Sequence, residues 1–322
     1  MSNLWNPKCS LQTLKQRAFL LARIRQYFAE NHVIEVETPI LSSAGNTDTH
    51  IESFTSNPIK SETNCSYLRT SPEFPLKRLL CKGVGDVYEL GKVFRKGEVS
   101  KTHNTEFTLL EWYRINFDYL QLIQDVRNLF EFVLLSFELA IPKCKIITFS
   151  KAFKQILNID VSQITTSKIN LCCNEYGYSG SQLSTDEALD YLFATQIQPN
   201  FDRHCLTFIT HYPASQAALA QINPQDSTTA LRFEVFYQGF ELGNGYQELT
   251  DAEELSHRFN QDNRNRKINQ LNEIEIDNNL LSAIQQGMPE CSGIAIGVDR
   301  MLMSLLKCNN INEVLSFSAE NS

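Results

Sequence analysis

The chain has 322 residues, 42% apolar and 20% charged, and its 29 Lys and Arg against 37 Asp and Glu give a formal net charge of −8. This balance excludes a protein that coats nucleic acids, though not a local basic groove, because such binding depends on neutralising phosphates. No apolar run approaches the roughly 18 residues that a bilayer-spanning helix needs. The first residues lack the pattern of a secretory signal peptide.

The nine cysteines form no C-x-x-C pair, and Cys172 and Cys173 are adjacent, which is a poor geometry for a disulfide between them. The spacing matches neither a zinc site nor a secreted disulfide framework. We therefore expect free thiols in a reducing compartment, and a cytoplasmic protein.

Hydrophobic periodicity predicts a long helix over 11–31, with Lys15, Arg17, Arg23 and Arg25 largely outside its apolar face. The segment 33–40 alternates apolar and acidic residues, which predicts a strand that ends at Pro39.

The remaining pattern predicts strands kept apart from helices, which favours an α+β fold with an antiparallel sheet. The predicted elements are strands 66–70, 87–95 and 104–114, a helix 118–139, short mixed helices 150–200, strands 205–210, 231–240 and 292–298, and the helix Met301–Leu306. The charged stretch 96–102 connects the strands 87–95 and 104–114 as a hairpin loop. Neither a P-loop nor a Rossmann glycine pattern occurs.

The predicted strand 104–114 carries the most informative side chains. Alternation places Phe107, Leu109, Glu111 and Tyr113 on one face, a surface suited to stacking a base and holding an ammonium group. Arg95 ends the preceding strand. The alternative is a half-buried strand with one salt bridge.

Glu241 and Glu248 lie on either side of a glycine-rich stretch. A regular strand would place them on opposite faces, but Gly243 and Gly245 permit a bulge or a turn that could aim both at one point. Paired carboxylates suit Mg²⁺ beside a triphosphate, since hard cations prefer oxygen ligands. The alternative is a turn with solvated acids.

In the segment 292–300, Gly293, Ala295 and Gly297 line one strand face and leave room for a ligand against the backbone. Arg300 follows at the strand-to-helix junction, where it could meet an anion. The alternative is a closely packed sheet with a surface arginine.

Together these segments resemble class II aminoacyl-tRNA synthetases over residues 11–318. Glu35 to Pro39 looks like the first signature motif, Phe94-Arg95 through Glu111 is similar to the second, and Gly297 to Arg300 matches the third. The resemblance implies one catalytic domain over 1–322 and a homodimer. Within the class, Ser71-Pro72-Glu73 and the Glu241 to Leu249 segment are closest to the lysyl enzymes.

The resemblance also implies roles for individual positions. Arg95 would hold the α-phosphate of ATP, Phe107 would stack on adenine, and Arg300 would lie against the γ-phosphate or adenine. The catalytic residues implied are Arg95, Glu241 and Arg300, and the magnesium carboxylates are Glu241 and Glu248. The ATP-binding positions are Arg95, Lys96, Gly97, His103, Asn104, Phe107, Glu241, Leu242, Gly297 and Arg300. The amino-acid-binding positions are Ser71, Pro72, Glu73, Glu111, Tyr113, Asn244, Tyr246, Glu248 and Ala295.

A site rich in glutamates suits a substrate with two ammonium groups and would repel aspartate.

Three features depart from the lysyl pattern. Only Met1 to Ser10 precede the first helix, so the anticodon-binding barrel of lysyl-tRNA synthetases has no counterpart, and we expect no anticodon recognition. Ala295 stands where lysyl enzymes usually have glycine, and a methyl group there would change the preferred amino acid by about 1–3 kcal/mol. Glu98 is displaced by one position from the second motif's glutamate, which puts its adenine contact in doubt.

A stand-alone lysyl-like domain with this alanine resembles the family of ligases that attach (R)-β-lysine to a lysine of elongation factor P. That resemblance implies an ATP-dependent, AMP-forming ligase with elongation factor P and β-lysine as partners. Two alternatives stay open. One is a lysyl-type enzyme that transfers α-lysine to another acceptor. The other is a non-catalytic amino-acid sensor, which the presence of Arg95, Glu241, Glu248 and Arg300 disfavours.

Overall fold

A computed structural model describes residues 5–59 and 65–322. The chain divides into two compact units, the larger made of Met1–Ala140 with Glu248–Ser322 and the smaller of Ile141–Gln247. That 1–322 works as one catalytic domain stays a prediction. Among the described residues, no helix combines the length and apolarity that crossing a membrane requires.

The first segment of the larger unit begins with the predicted long helix, which Ser10 caps by accepting a hydrogen bond from the Thr13 backbone N–H. Its elements are α1 (Leu11–Glu30), β1 (Ile34–Glu35), β2 (Leu41–Ser42), β3 (Thr55–Ser56), β4 (Ser66–Leu68), α2 (Glu73–Cys81), β5 (Val87–Phe94), β6 (Glu106–Ile115) and α3 (Tyr119–Ser136). The strand β1 is shorter than predicted. The chain leaves the sheet because the Thr38 carbonyl accepts a hydrogen bond from Arg69, and Pro39 has no N–H to donate.

The smaller unit begins with a strand and three helices, which account for the weak helical signal at 150–200. Its elements are β7 (Lys143–Thr148), α4 (Phe149–Leu157), α5 (Thr166–Glu175), α6 (Thr185–Leu192), β8 (Cys205–Pro213), β9 (Thr229–Tyr237) and β10 (Phe240–Gln247). Its strands lie in the order β10-β9-β8-β7. Phe149, Phe153, Phe193, Tyr212 and Phe236 belong to one buried cluster that joins the helices to these strands.

The larger unit is completed by α7 (Ala252–Ile268), α8 (Asn278–Gln285), β11 (Cys291–Gly297) and α9 (Val298–Leu306). Its main strands lie in the order β1-β5-β6-β11, and β2, β4 and β3 form a separate small sheet. The α+β prediction is confirmed, but the pairs β1–β5 and β7–β8 are parallel. Each parallel pair is joined by a long connection containing helices, which parallel pairing requires.

Aromatic side chains fix the helices on the strands that carry the predicted site. Phe28 of α1 stacks on Tyr88 of β5 with ring centroids 4.3 Å apart, and its ring meets Trp112 of β6 edge-on. The Trp112 Nε1–H and the Tyr27 hydroxyl both donate to the carboxylate of Asp125. These contacts hold β6 against α1 and α3. The buried polar groups of Trp112 and Tyr27 are both satisfied by the same carboxylate, as buried polar groups usually are.

Arg17 does not lie on the outer face of α1, where the sequence pattern places it. Its guanidinium donates to Asp299 at 2.5 Å and to the Thr108 hydroxyl at 2.7 Å. The buried Asp299 carboxylate also accepts the Thr108 backbone N–H at 2.8 Å. This network ties α1, β6 and the start of α9 together, directly beside Arg300.

Replacing Arg17 with methionine is expected to lower the free energy of unfolding by about 1.5–3 kcal/mol, because a buried carboxylate loses a charged hydrogen-bond donor. Urea denaturation measures the change. The control is Lys15→Met, an exposed position on the same helix. Equal effects of the two variants would contradict the role of this network.

Candidate active site

The register of β6 and β11 brings the small side chains of β11 opposite the polar ones of β6. Ala295 pairs with Glu111, Gly293 with Tyr113 and Gly297 with Leu109. Directly paired residues of antiparallel strands share a face. Ile294 and Ile296 are buried on the other face. The methyl group of Ala295 therefore lies on the same face as the Glu111 carboxylate.

Gly293 is a glycine because other groups approach its backbone closely. A Cβ atom there would lie 2.3 Å from the ring of Tyr113 and 2.8 Å from Oε1 of Glu248. No side chain fits at these distances without moving the aromatic ring. The absence of a side chain at Gly293 is what allows Tyr113 and Glu248 to approach each other.

An acidic cluster forms where α2 faces these strands. It consists of Glu73, Glu111 and Glu248 together with Lys77 and Tyr113. Lys77 Nζ lies 2.7 Å from Oε1 of Glu73 and 2.7 Å from Oε2 of Glu248. The Tyr113 hydroxyl donates to Oε1 of Glu111 at 2.7 Å. Three carboxylates thus share a buried site with one ammonium group.

Burial governs the proton affinities in this cluster. Burial raises the pKa of Glu248, the positive charge of Lys77 lowers it, and the negative charge of Glu73 raises it again, so that the pKa is about 7. Burial and the charge of Glu73 raise the pKa of Glu111 well above its ordinary value. Burial alone would lower the pKa of Lys77, but the charges of Glu248 and Glu73 outweigh it and raise that pKa. An added cation would favour the ionised carboxylates, because an opposite charge nearby lowers a carboxyl pKa.

One carboxylate oxygen of the cluster, Oε2 of Glu111, is buried and makes no hydrogen bond to any described residue. A buried polar atom without a partner is costly, so native structures usually satisfy such atoms. An ionised carboxylate oxygen only accepts hydrogen bonds, and an ammonium group is the chemistry that would satisfy this one.

The segment that leads into α2 is held by an internal ion pair. Arg69 donates to Glu89 at 2.5 Å and to the Thr38 hydroxyl at 2.9 Å, and the Thr38 hydroxyl donates to Glu89 at 2.7 Å. Ser71 then accepts the Glu73 backbone N–H at 3.3 Å, and Pro72 is buried. These contacts position the predicted Ser71-Pro72-Glu73 segment at the start of the helix that carries Lys77.

The side chains of Arg95 and Phe107 lie together at the hairpin. The Arg95 guanidinium lies over the Phe107 ring, 5.1 Å from its centroid, and its Nε–H donates to the Thr70 carbonyl at 3.4 Å. A partly exposed guanidinium beside an aromatic face can bind a phosphate and a stacked base. Glu98, the displaced glutamate, lies 3.8 Å from Arg95. Its carboxylate therefore approaches the arginine itself.

Arg300 and His103 also meet. The Arg300 Nη2 group contacts His103 Nε2, and Arg300 Nε–H donates to the Thr102 carbonyl at 3.3 Å. A guanidinium only donates hydrogen bonds, so His103 Nε2 must accept. The Nδ1–H of His103 then donates to the Ser100 hydroxyl at 2.7 Å. Thr102 and His103 of the loop between β5 and β6 therefore hold the Arg300 side chain in its orientation.

The other predicted nucleotide-binding positions differ in their burial, their contacts and their backbone conformation. Asn104 is buried, donating to the Glu106 carbonyl and accepting the Ala319 backbone N–H, so that it ties the hairpin to the C-terminal segment. Lys96 is exposed, with its Nζ 3.6 Å from Glu52. Gly97 has a φ of +83°, a conformation that favours glycine. Gly297 ends β11 directly before α9.

In the smaller unit, β10 contains the predicted bulge. Glu241 pairs with Phe236 and Gly243 with Val235, so Leu242 is the extra residue. Asn244 pairs with Glu234 and Tyr246 with Arg232. Because alternate residues of β9 share a face, the bulge places Glu241 on the same face as Asn244 and Tyr246. A regular strand would have separated them.

Arg232 organises this face. It donates to Glu234 at 2.6 Å, to the Gln216 carbonyl at 2.7 Å and to Oδ1 of Asn244 at 3.2 Å, and its guanidinium lies over the Tyr212 ring. Since arginine only donates, these contacts fix which end of the Asn244 amide faces Arg232. Burial and the charge of Glu241, opposed by Arg232, raise the pKa of Glu234 to about 7.

Sequence reasoning missed Lys77, Arg69 and Arg232. A signal for Lys77 was present, since Glu73 and Lys77 are four residues apart in an apolar stretch, the spacing of a helical ion pair. Arg69 has no such signal because its partner Glu89 is 20 residues away on β5. For Arg232 a signal was present, since Glu234 is two residues along the same strand and alternate residues of a strand share a face.

The predicted magnesium carboxylates Glu241 and Glu248 belong to different units, and their pairing stays a prediction. In residues 5–59 and 65–322, no group of three or more His, Cys, Asp or Glu is arranged to hold a metal ion. The half-buried Glu241 carboxylate fits a hard cation by its chemistry. Glu248 already places Oε2 against Lys77.

Comparison with known proteins gives a consistent picture. The family model for class II tRNA synthetases (D, K and N) matches residues 3–321. An elongation factor P–(R)-β-lysine ligase of Avibacterium paragallinarum is 42% identical over 99% of this chain and 98% of its own length. The ligase of the same name from Pseudoalteromonas translucida is 40% identical over 98% of both chains, and that of Haemophilus influenzae strain PittGG is 37% identical over 99% of both.

Proposed function

Because the chain belongs to the class II tRNA synthetase family of the D, K and N type and to the family of elongation factor P–(R)-β-lysine ligases, we propose that it activates (R)-β-lysine with ATP and transfers it to a lysine of elongation factor P. The observation that carries the proposal is the buried acidic cluster of Glu73, Glu111 and Glu248. With all three ionised, one ammonium from Lys77 leaves two negative charges. β-Lysine carries two ammonium groups.

Ala295 supports the choice of the β-amino acid. Its methyl group shares a face with the Glu111 carboxylate across the β6–β11 pair, where lysyl enzymes usually have glycine. In β-lysine the amino group is one carbon farther from the carboxylate than in α-lysine. A methyl group beside the ammonium-binding carboxylate therefore discriminates between two positions of that ammonium.

In the first step, the β-lysine carboxylate attacks the α-phosphorus of ATP, and pyrophosphate leaves as β-lysyl-adenylate forms. Negative charge increases on the α-phosphate oxygens, and Arg95 is placed to stabilise it while Phe107 stacks on adenine. Arg300, held by His103, binds the γ-phosphate or the adenine. Preorganised charge of this kind supplies most of the catalysis in phosphate chemistry.

In the second step, the ε-amine of the acceptor lysine attacks the adenylate carbonyl. An amide bond forms, AMP leaves with the bonding electrons, and the ammonium proton passes to solvent. No side chain forms a covalent intermediate, and the nine free cysteines are not needed. Positioning of the two substrates is the main contribution.

Mg²⁺ is part of the proposal, with Glu241 and Glu248 as its predicted carboxylates. These residues would hold the ion, and its charge would neutralise that of the phosphates.

The proposal includes a homodimer, one catalytic domain over 1–322 and a cytoplasmic location. Exposed Ile34 and Ile40 flank the first motif, which lies at the dimer interface in class II enzymes, and support the dimer. The nine cysteines form no disulfide, which supports a reducing compartment. Light scattering of the purified chain measures the oligomeric state.

The test is transfer to the acceptor. Purified chain, ATP, Mg²⁺ and β-lysine are incubated with elongation factor P, and intact-protein mass spectrometry follows the acceptor. We expect its mass to increase by one β-lysyl group, and not when the modified lysine is replaced by arginine. An unmodified acceptor in the presence of normal adenylate formation would contradict this acceptor.

Replacing Ala295 with glycine is expected to move the preference from β-lysine toward α-lysine by about 10–200-fold in the ratio of kcat/KM, since one methyl group in a pocket is worth about 1–3 kcal/mol. ATP–pyrophosphate exchange with each amino acid measures the ratio. An unchanged ratio would contradict the role of the methyl group.

A further inference from the structure

We propose that Lys77 is a positioning residue that holds the carboxylates of Glu73 and Glu248 in place to receive the ammonium groups of the amino acid. This inference rests on the proposed function, since it concerns the same pocket. Lys77 is not among the residues that the family resemblance or the site prediction assigned to substrate binding. It would act through the two glutamates.

The geometry of Lys77 leads to this role. Its side chain is 1% exposed, and its Nζ bridges two residues that are far apart in sequence, one on α2 and one directly after β10. Each carboxylate places one oxygen 2.7 Å from the ammonium. The other oxygen of Glu248, Oε1, lies against the backbone of Gly293, 2.8 Å from where a Cβ atom of that residue would be.

Without Lys77, Glu73 and Glu248 would lose the ammonium group that each of them contacts at 2.7 Å. The charge of Glu73 acts on both Glu111 and Glu248, and the charge of Glu248 acts on Glu111. Like charges in a buried site move apart or rearrange, because their repulsion is poorly screened there. The oxygens that face the substrate would then leave the positions in which they can bind two ammonium groups at once.

A simple competition between Lys77 and the substrate predicts the opposite. If Lys77 only occupied an ammonium site, its removal would free carboxylate oxygens and tighten binding. The two accounts therefore differ in the sign of the change in KM.

The variants are Lys77→Met, which keeps the unbranched chain without the charge, Lys77→Arg, which keeps the charge, and Lys82→Met as a control. Lys82 is exposed at the C-terminal end of the same helix. Exchange of ATP and pyrophosphate is measured with β-lysine and with two analogues that each carry one ammonium, 3-aminohexanoic acid and 6-aminohexanoic acid.

For Lys77→Met we expect the KM for β-lysine to rise about tenfold or more, with the KM for ATP unchanged and kcat less affected. The preference for β-lysine over both analogues should fall by a similar factor, because two carboxylates lose their arrangement together. Lys77→Arg should recover part of the loss, and Lys82→Met should match the parent chain.

An unchanged or lowered KM for β-lysine would overturn the proposal, as would parallel increases for β-lysine and ATP, which a general structural defect produces. If Lys77→Met does not fold, Lys77→Gln, which keeps a polar side chain without the charge, is measured with the same expectations. If the parent chain activates α-lysine but not β-lysine, the proposed function is contradicted. The Lys77 variants are then compared with α-lysine as the substrate, since it also has two ammonium groups. If neither is activated, calorimetric binding of the two lysines and the analogues decides the role of Lys77.

Discussion

Replacing Arg95 with alanine is expected to lower β-lysine-dependent ATP–pyrophosphate exchange by about 10²–10³-fold, mostly in kcat, because one preorganised contact to developing charge is worth roughly 3–4 kcal/mol. Arg95 lies over Phe107 and is held by the Thr70 carbonyl, so it is positioned before ATP arrives. Its side chain is partly exposed, and we expect the variant to stay folded.

The matched control is Arg78→Ala, an exposed arginine on α2. It should exchange pyrophosphate like the parent chain, and circular dichroism should show both variants folded. Near-normal exchange by folded Arg95→Ala would contradict the assignment of the second motif, and with it the proposed first step.

Replacing Glu111 with glutamine is expected to reduce kcat/KM for β-lysine by at least about 100-fold, chiefly through KM. Glutamine keeps the size of the side chain but removes the charge from Oε2, the buried oxygen that lacks a hydrogen-bond partner among the described residues. Removing one member of a buried charge pair costs about 2–5 kcal/mol, because the other charge is left unpaired. The unpaired group would be a substrate ammonium.

The control for Glu111→Gln is Glu106→Gln on the same strand, where the carboxylate is exposed and pairs with Lys92 at 3.3 Å. Only the Glu111 variant should change the KM for β-lysine, and neither should change the KM for ATP. An Glu111→Gln enzyme with the parent's KM for β-lysine would show that the acidic cluster does not bind the ammonium groups.

Local periodicity was enough to predict the strands β6 and β11 of the site, but it did not predict the helix α2 that carries Glu73 and Lys77. The alternation in β6 and β11 predicted which side chains share a face, and the register confirms it for Glu111, Tyr113 and Ala295. The glycines near Glu241 predicted the bulge in β10. These predictions succeeded because each depends on residues that are neighbours along one strand.

Long-range pairing explains what the sequence did not reveal. Arg17 pairs with Asp299 and Lys77 with Glu248, and no helical or strand spacing connects such partners. The parallel pairs β1–β5 and β7–β8 were missed because very short or weakly patterned segments do not specify a direction. The roles of the individual nucleotide-binding residues still rest on the resemblance and on the proposed function.

The most direct test of this account is amino-acid-dependent ATP–pyrophosphate exchange by the purified chain, with (R)-β-lysine and α-lysine measured side by side. We expect strong exchange with β-lysine and weak exchange with α-lysine, because Ala295 shares the strand face of the Glu111 carboxylate. Preference for α-lysine would contradict the β-lysine assignment and favour a lysyl-type enzyme with another acceptor. Exchange with neither would contradict the activity altogether.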